Sequence, residues 1–198
     1  TLGSGPTPTA ARAYGGTGDE VVRAVAVASD GRTYLGGTTS GPSTWATTPT
    51  PITLSTTDGF IAALDTSGAP LWARSFGAEA SGAVTALAAL PGGGVAVGGS
   101  FLRSLTVGGG QPVPSVGVDD GVAIVRLDPS GTATWIGTVI GVGGDAVGGL
   151  VVDPNGDLVA NLALGTNAVA AVGSVSTPVP NPAPTDVLVT FFAPPVGP

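Results

Sequence analysis

Short apolar runs, separated by turns that contain Gly or Pro, recur along the chain at a regular spacing. In each copy an acidic residue opens an apolar run, a turn ending in Gly follows, and a second apolar run contains Trp. The two clearest copies are Asp58–Trp72 and Asp120–Trp135. Asp65 and Asp128 lie one period apart (128 − 65 = 63), and so do Trp72 and Trp135 (135 − 72 = 63). Such a spacing predicts a repeated structural unit of about 62 residues.

Before, between and after these copies the pattern predicts three hairpins with turn glycines at Gly31, Gly93 and Gly156, because Gly adopts the positive φ that such turns require. A strand with an apolar centre that does not alternate follows each hairpin, which is typical of a strand covered on both faces. These strands are predicted at Asp58–Leu64, Asp120–Leu127 and Asp186–Phe192. The long Thr-, Pro- and Gly-rich loops before them are predicted to hold short strand pieces such as Ile52–Ser55.

We name the hairpin strands A and B, the acidic strand C and the Trp strand D. The chain then reads D, ABCD, ABCD, ABC, with residues 10–14 as the first D strand. It is predicted to be all-β: a linker-like segment 1–9, a single repeat domain 10–192 with units at about 17–76, 79–140 and 146–192, and a Pro-rich tail 193–198. The N-terminal D strand is the element that the last unit lacks, so the two ends are expected to pair.

Composition narrows the class of protein. The 198 residues are 42% hydrophobic, which excludes a disordered chain despite 34 Gly and 18 Pro. Six Arg, no Lys and a net charge of −7 argue against nucleic-acid partners, and no apolar run is long enough for insertion into a membrane. The absence of Cys does not discriminate between redox compartments.

The residues Asp58–Gly77 and Asp120–Thr134 resemble the bacterial SBBP β-propeller repeat, found in secreted proteins of myxobacteria and their relatives. In that pattern an Asp precedes an apolar strand ending in Leu-Asp-x-Ser-Gly, and a Trp strand ending in Phe-Gly-Gly follows. The chain departs from it at Thr190–Pro194, where Leu-Asp is missing, in the second hairpin turn, which lacks Asp, and in its longer period. The resemblance implies a four-stranded antiparallel blade per repeat and an extracellular or cell-surface location, with the periplasm as the alternative.

Three four-stranded blades would close too tightly around an axis, because ring propellers have about four to eight blades. Two chains, or neighbouring blades of a larger assembly, are therefore expected to complete the ring, and two copies would give six blades. The alternative is a three-fold, trefoil-like or prism-like arrangement within one chain.

The sequence lacks most of the residue types that common enzymes use for catalysis. Without His, Cys or Lys, the common nucleophilic dyads and triads, Schiff-base chemistry and ordinary zinc sites each lack a member. Carboxylate chemistry remains, but the adjacent pair Asp119 and Asp120 would point to opposite faces of a strand. We therefore expect a non-enzymatic protein without a cofactor. A carbohydrate-active lyase or hydrolase that uses Asp carboxylates is the alternative.

Asp153, Asn155 and Asp157 place oxygen ligands at alternate positions, which makes them candidates for a metal site. If they bind calcium, the alternative function of the protein is a calcium-dependent adhesin. The pattern lacks the remaining ligands of a calcium loop, so a hairpin turn is favoured, and Gly141–Asp145 is likewise interpreted as a turn. The repeated acids Asp58, Asp120 and Asp186 are expected to cap backbone N–H groups rather than to bind a cation.

The three Trp residues have two different expected roles. Trp72 and Trp135 share one repeat position and are predicted to pack between blades. Trp45 has no counterpart and stands in a long Thr- and Pro-rich loop, so we expect it to be an exposed anchor for a sugar or a protein. The expected function is a structural or recognition module that contacts protein or carbohydrate through its long loops.

Overall fold

A computed structural model describes residues 11–46, 52–54, 58–77, 82–107, 113–114, 120–142, 144–172, 175–178 and 187–192. These residues contain no helix, and therefore none long and apolar enough to cross a membrane. All strand pairs in these ranges are antiparallel. The predicted all-β class is confirmed.

The strands are, in chain order, β1 (Gly15–Gly16), β2 (Glu20–Val27), β3 (Thr33–Thr39), β4 (Ser43–Ala46), β5 (Ile52–Leu54), β6 (Asp58–Leu64), β7 (Pro70–Phe76), β8 (Ala83–Ala89), β9 (Val95–Leu102), β10 (Ser104–Leu105), β11 (Val113–Pro114), β12 (Asp120–Leu127), β13 (Ala133–Val142), β14 (Ala146–Val152), β15 (Leu158–Ala163), β16 (Thr166–Val172), β17 (Val175–Pro178) and β18 (Val187–Phe192).

The described strands form three larger sheets. Sheet 1 has the order β2-β3-β6-β7, sheet 2 the order β8-β9-β12-β13-β16-β17, and sheet 3 the order β14-β15-β18. Sheet 1 and the first four strands of sheet 2 have the predicted order A, B, C, D, and sheet 3 has A, B, C. A small sheet β1-β4-β5, named the cap, and the pair β10-β11 complete the described strands.

The tight turns have one shared construction. In five turns among the described residues, the first residue donates its N–H to the carbonyl of the fifth, and the fourth donates to the carbonyl of the first. The fourth residue is always Gly with positive φ, which is the arrangement of a type I turn followed by a bulge. These glycines are Gly31, Gly68, Gly93, Gly131 and Gly156. The predicted roles of Gly31, Gly93 and Gly156 as turn residues are confirmed.

The sheets stack through their A strands, since β2 contacts β8 and β8 contacts β14. One core lies between sheets 1 and 2 and includes Tyr34, Phe76, Val84 and Phe101. A second core lies between sheets 2 and 3 and includes Ile124, Leu158 and Leu162. Strand β6 is buried along its whole length, as predicted for a central strand.

One contact recurs at both interfaces and sets how closely the sheets approach. A Cβ atom placed on Gly98 would lie 2.8 Å from Cγ1 of Val147, and one placed on Gly36 would overlap Cγ1 of Val84. Gly36 and Gly98 occupy the same position on their B strands, and Val84 and Val147 the same position on their A strands. A Gly on one sheet therefore makes room for a Val on the next.

Two predictions about the sheets are wrong. Residues 11–14 form no strand, and β1 pairs with β4 instead of completing sheet 3, whose outer strand β18 pairs only with β15 among the described strands. Sheet 2 is not four-stranded, because β16 and β17 from the third long loop add to β13. In both cases a loop folds back and satisfies the nearest open strand edge. The predicted linker 1–9 and tail 193–198 lie outside the described residues.

Candidate functional site

The end of the sheets that carries the tight turns also carries most of the described carboxylates. Asp65 Oδ1 accepts hydrogen bonds from the N–H groups of Ser67 and Ala69, both at 2.8 Å, and from Ser67 Oγ at 2.7 Å. Asp128 makes the same three contacts one period later. The Ser hydroxyl is the main cause of a lowered pKa at each Asp, with backbone N–H groups adding to it. These carboxylates hold turns together.

The metal candidates lie in a turn of the same kind. Asp153 Oδ1 accepts from the N–H groups of Asn155 and Asp157, both at 2.8 Å, and Asp153 Oδ2 accepts from Asn155 Nδ2 at 3.2 Å. The side-chain oxygens of Asp153 therefore serve the turn, and the preference for a hairpin turn is confirmed. Within the described ranges no three acidic side chains converge where they would hold a metal ion.

Asp58 caps backbone N–H groups, as predicted for the strand-leading acids. It is buried, and its Oδ1 accepts from the N–H groups of Gly82 at 2.6 Å and Gly59 at 3.0 Å. Burial raises the pKa of the Asp58 carboxyl, and the two N–H groups oppose that shift. The side chains of Asp120 and Asp186 lie outside the described part of the structure, so the capping prediction for them is not tested. The same holds for the adjacent pair of Asp119 and Asp120.

Asp145 is a buried carboxylate whose role the sequence analysis missed. Its Oδ2 accepts from the N–H of Gly141, and its Oδ1 accepts from the N–H of Gly165, each at 2.7 Å. It thereby ties the end of β13 to the segment between β15 and β16. The interpretation of Gly141–Asp145 as a simple turn is incomplete, because β13 continues to Val142. A buried bridge over this separation has no local sequence signal.

The expectation that Trp45 is exposed is wrong. Trp45 lies on β4 with 5% of its surface exposed, and its ring stacks on Tyr14 at 5.5 Å and tilts against Phe60 at 5.0 Å. Its Nε1 donates to Ser43 Oγ at 3.2 Å. The cap places this wide apolar ring against the outer face of sheet 1, where its burial is favourable. Its proposed role as a recognition anchor loses the exposure on which it depended.

Trp72 packs between sheets, as predicted. It is buried in the core between sheets 1 and 2. Trp135 is half-buried and packs against the core between sheets 2 and 3. Side chains of one sheet also donate to turn carbonyls of the next: Arg74 Nη2 to Ser130 O at 3.3 Å, and Arg126 Nη2 to Gly156 O at 2.5 Å.

The most exposed large apolar side chains among the described residues lie at the two ends of the stack. On β2, Val25 is 61% and Val27 is 64% exposed; on β14, Val151 is 60% exposed. A contiguous apolar surface of this kind is typical of a contact surface. No sequence pattern distinguishes these positions, because the matching residues of the other sheets are also apolar and differ only in being covered by a neighbouring sheet.

Neither the protein-family models nor the curated proteins contain a match to this chain. The resemblance to SBBP repeats therefore stays a prediction that depends on the residues quoted for it.

Proposed function

We propose that this chain is a propeller-repeat module of the SBBP type, which acts through structure or recognition and not through catalysis. Sheets 1, 2 and 3 correspond to consecutive blades, and the module belongs to an extracellular or cell-surface assembly. The long loops at the end opposite the tight turns contact protein or carbohydrate. Further blades, from a second copy or from a larger assembly, complete the ring.

The proposal of a non-catalytic role is supported by the hydrogen bonds that five described Asp side chains accept. Asp58, Asp65, Asp128, Asp145 and Asp153 each accept two or more hydrogen bonds from backbone N–H groups. An acid catalyst or a cation site needs carboxylate oxygens that face a substrate or an ion. Here the oxygens stabilise turns and loop junctions, which favours a scaffold.

The stacking of like sheets can be tested with a disulfide, since the chain has no Cys. A Cβ on Gly36 would lie 3.2 Å from Val84 Cβ, close to the roughly 3.5–4.5 Å that a disulfide requires. The double variant Gly36→Cys/Val84→Cys is expected to lose both thiols on mild oxidation while it remains a single chain. Two free thiols in the folded, oxidised protein would contradict the stacking of sheet 1 on sheet 2.

The functional class can be tested with a panel of neutral and acidic polysaccharides. Retardation of the protein in gels that contain a polysaccharide measures binding, and release of reducing ends or unsaturated products measures turnover. We expect no turnover, with retardation by those polysaccharides that the loops contact. Turnover that disappears in an Asp→Asn variant would overturn the proposal in favour of a lyase or hydrolase. A melting temperature that falls on addition of EDTA would instead favour a calcium-dependent adhesin.

A further inference from the structure

The outward face of sheet 1 presents a row of valines on its A strand. Val22, Val25 and Val27 on β2 are 51%, 61% and 64% exposed. Val25 pairs with Leu35, which packs against the cap cluster, so this row lies on the side of sheet 1 that faces away from sheet 2. The neighbouring Ala24 and Ala26 pack against the core between sheets 1 and 2.

The same row is covered by a neighbouring sheet in the other two sheets, where its residues are buried or partly buried. One period later its positions are Val84, Leu87 and Ala89, which pack against sheet 1. Two periods later they are Val147, Leu150 and Val152, which pack against sheet 2. This surface is therefore used twice to bind the preceding sheet, whereas on β2 no sheet of the described residues covers it.

The far end of the stack presents the opposite surface. Val151 on β14 and Val159 on β15 pair with each other, and Gly149 pairs with Asn161. The corresponding residues of sheet 2 face sheet 3: Ala88, which pairs with Ala96, and Ala86, which pairs with Gly98. Gly98 lies against Val147 of sheet 3. In sheet 3, Val151 and Asn161 are exposed. The outward face of β14 and β15 therefore corresponds to the face of sheet 2 on which the A strand of sheet 3 packs.

We propose that a second copy of this chain packs head-to-tail on the first, with the β14–β15 face of one copy against the valine row of β2 in the other. This inference rests on the proposed function, in which like sheets stack as consecutive blades. Val22 of one copy then lies opposite Asn161 of the other, at the repeat position where Val84 lies opposite Gly36 and Val147 lies opposite Gly98. Because Asn161 has a side chain where sheets 1 and 2 have Gly, the two copies are spaced more widely at this point than the sheets within one chain. The occupant is a second copy because the chain itself carries both complementary surfaces.

The outer parts of the two surfaces also fit each other. The cap covers β6 and β7, the strands of sheet 1 farthest from β2, with Trp45 against Phe60 and with β4 and β5 against β7. Among the described strands, sheet 3 has none at the D position, which is the part of sheet 1 that the cap covers. The described parts of the two surfaces therefore face each other at the A and B strands, where the valines are exposed.

A head-to-tail contact uses two different surfaces, so it forms a closed ring if the rotation between copies allows closure. Two copies of three sheets give six, which lies within the range of about four to eight blades of known rings. Net charge −7 on each copy opposes association, so dimerisation is expected to strengthen with added salt.

A disulfide test probes the predicted pair directly. The variant Val22→Cys/Asn161→Cys is expected, on mild oxidation, to give a species at twice the 18.8 kDa of one chain in a denaturing gel without reductant. The control Val142→Cys/Asn161→Cys has an exposed Val on β13, outside both surfaces, and is expected to remain at the mass of one chain. No dimer band above that of the control would overturn the proposal.

Charge substitutions test whether the two surfaces differ. Val25→Asp and Val151→Asp are each expected to weaken dimerisation by at least about tenfold, because the contact would bury an unpaired carboxylate. Mixing the two variants is expected to restore one contact, since each retains the surface that the other lacks. Val142→Asp is the control and is expected to dimerise normally. Light scattering over a concentration series measures each mass.

Each outcome is decisive. A wild-type chain that remains monomeric at every concentration, or a Val151→Asp variant that dimerises like the wild type, overturns the head-to-tail contact. If Gly36→Cys/Val84→Cys still forms its internal disulfide, the stacked module stands and only the second copy is wrong. If that disulfide also fails, the proposed stacking itself is wrong. Circular dichroism of each variant confirms that it is folded.

Discussion

Trp72 on β7 of sheet 1 donates a hydrogen bond from Nε1 to the carbonyl oxygen of Pro129, at 2.9 Å, in the turn between β12 and β13 of sheet 2. The same carbonyl accepts from Arg32 Nη1 at 3.3 Å, and the guanidinium of Arg74 lies 5.7 Å from the centre of the Trp72 ring. The turn of one sheet is therefore held by side chains of the sheet before it. Because this contact joins two sheets, its removal should weaken the whole stack.

Substitution of Trp72 by Phe is expected to lower the free energy of unfolding by at least roughly 0.5–1.5 kcal/mol, because the hydrogen bond is lost and the smaller ring fills less of the core. Trp72→Ala also creates a cavity and is expected to cost about 3–5 kcal/mol. Urea unfolding followed by circular dichroism measures both. A Phe variant as stable as the wild type would show that the hydrogen bond contributes nothing net.

Gly131 and Gly156 are a matched pair, because each is the fourth residue of a turn of the same type. Both have positive φ, +81° and +91°, so Ala at either site costs about 1–2 kcal/mol of backbone strain. A Cβ on Gly131 would also lie 2.8 Å from the Trp72 ring, whereas one on Gly156 meets no atom within 4 Å. Gly131→Ala is therefore expected to destabilise the protein by about 1–3 kcal/mol more than Gly156→Ala, as measured by urea unfolding. Equal losses would contradict the contact with Trp72.

Asp65 and Asp128 predict a loss of stability in acid. The pKa of each is lower in the folded protein than its ordinary value of about 3.8, so the folded state binds fewer protons than the unfolded state in this range. Their contribution is full above about pH 4 and is lost as the pH falls through the lowered pKa values. The variant Asp65→Asn/Asp128→Asn is expected to lose less stability over this window, as urea midpoints at a series of pH values would show. An unchanged acid profile would exclude a role for these charges.

Asp58 is expected to respond to pH in the opposite direction. Burial raises its pKa, so the folded state takes up a proton first and this contribution to stability increases as the pH falls through the raised value. Asp58→Asn keeps an oxygen that can accept from Gly59 and Gly82 and removes the buried charge, so stability at neutral pH is expected to be equal or higher. Asp58→Ala leaves two buried N–H groups unpaired and is expected to cost about 1–3 kcal/mol. Thermal unfolding of both variants is the measurement, and equal losses would contradict the capping role.

The two Tyr residues provide another matched pair. The hydroxyl of Tyr34 is buried and has no hydrogen-bond partner in the described structure, whereas that of Tyr14 donates to Gly68 O. Tyr34→Phe removes an unpaired polar group and is expected to leave stability unchanged or to raise it by roughly 1 kcal/mol, while Tyr14→Phe is expected to lower it by about 0.5–1.5 kcal/mol. Urea unfolding compares them. A loss in Tyr34→Phe as large as that in Tyr14→Phe would refute the assignment.

Local patterns accounted for most strands of the three sheets and for the chemistry of their turns. The strand Asp58–Leu64 was predicted to the residue because an apolar run between two turn signals depends only on neighbouring residues. Asp65 and Gly68 likewise identify a turn without reference to the rest of the chain, since their backbone contacts reach only four residues. Capping by Asp58 followed from the same local chemistry, although its partner Gly82 lies 24 residues away.

Three features of the fold arise from contacts between residues far apart in the sequence, which no local pattern predicts. The burial of Trp45 required Tyr14 and Phe60 to come together around it, and the bridge made by Asp145 required Gly165 to return to the end of β13. The addition of β16 to β13 depended on an open edge that no local pattern encodes. Local sequence patterns predicted strands and turns of the sheets, because these follow from backbone preference and from the order of apolar and turn residues along the chain. Which loop covers a sheet, and which valine row stays uncovered, was decided by long-range packing, because burial depends on what the folded chain brings to a surface.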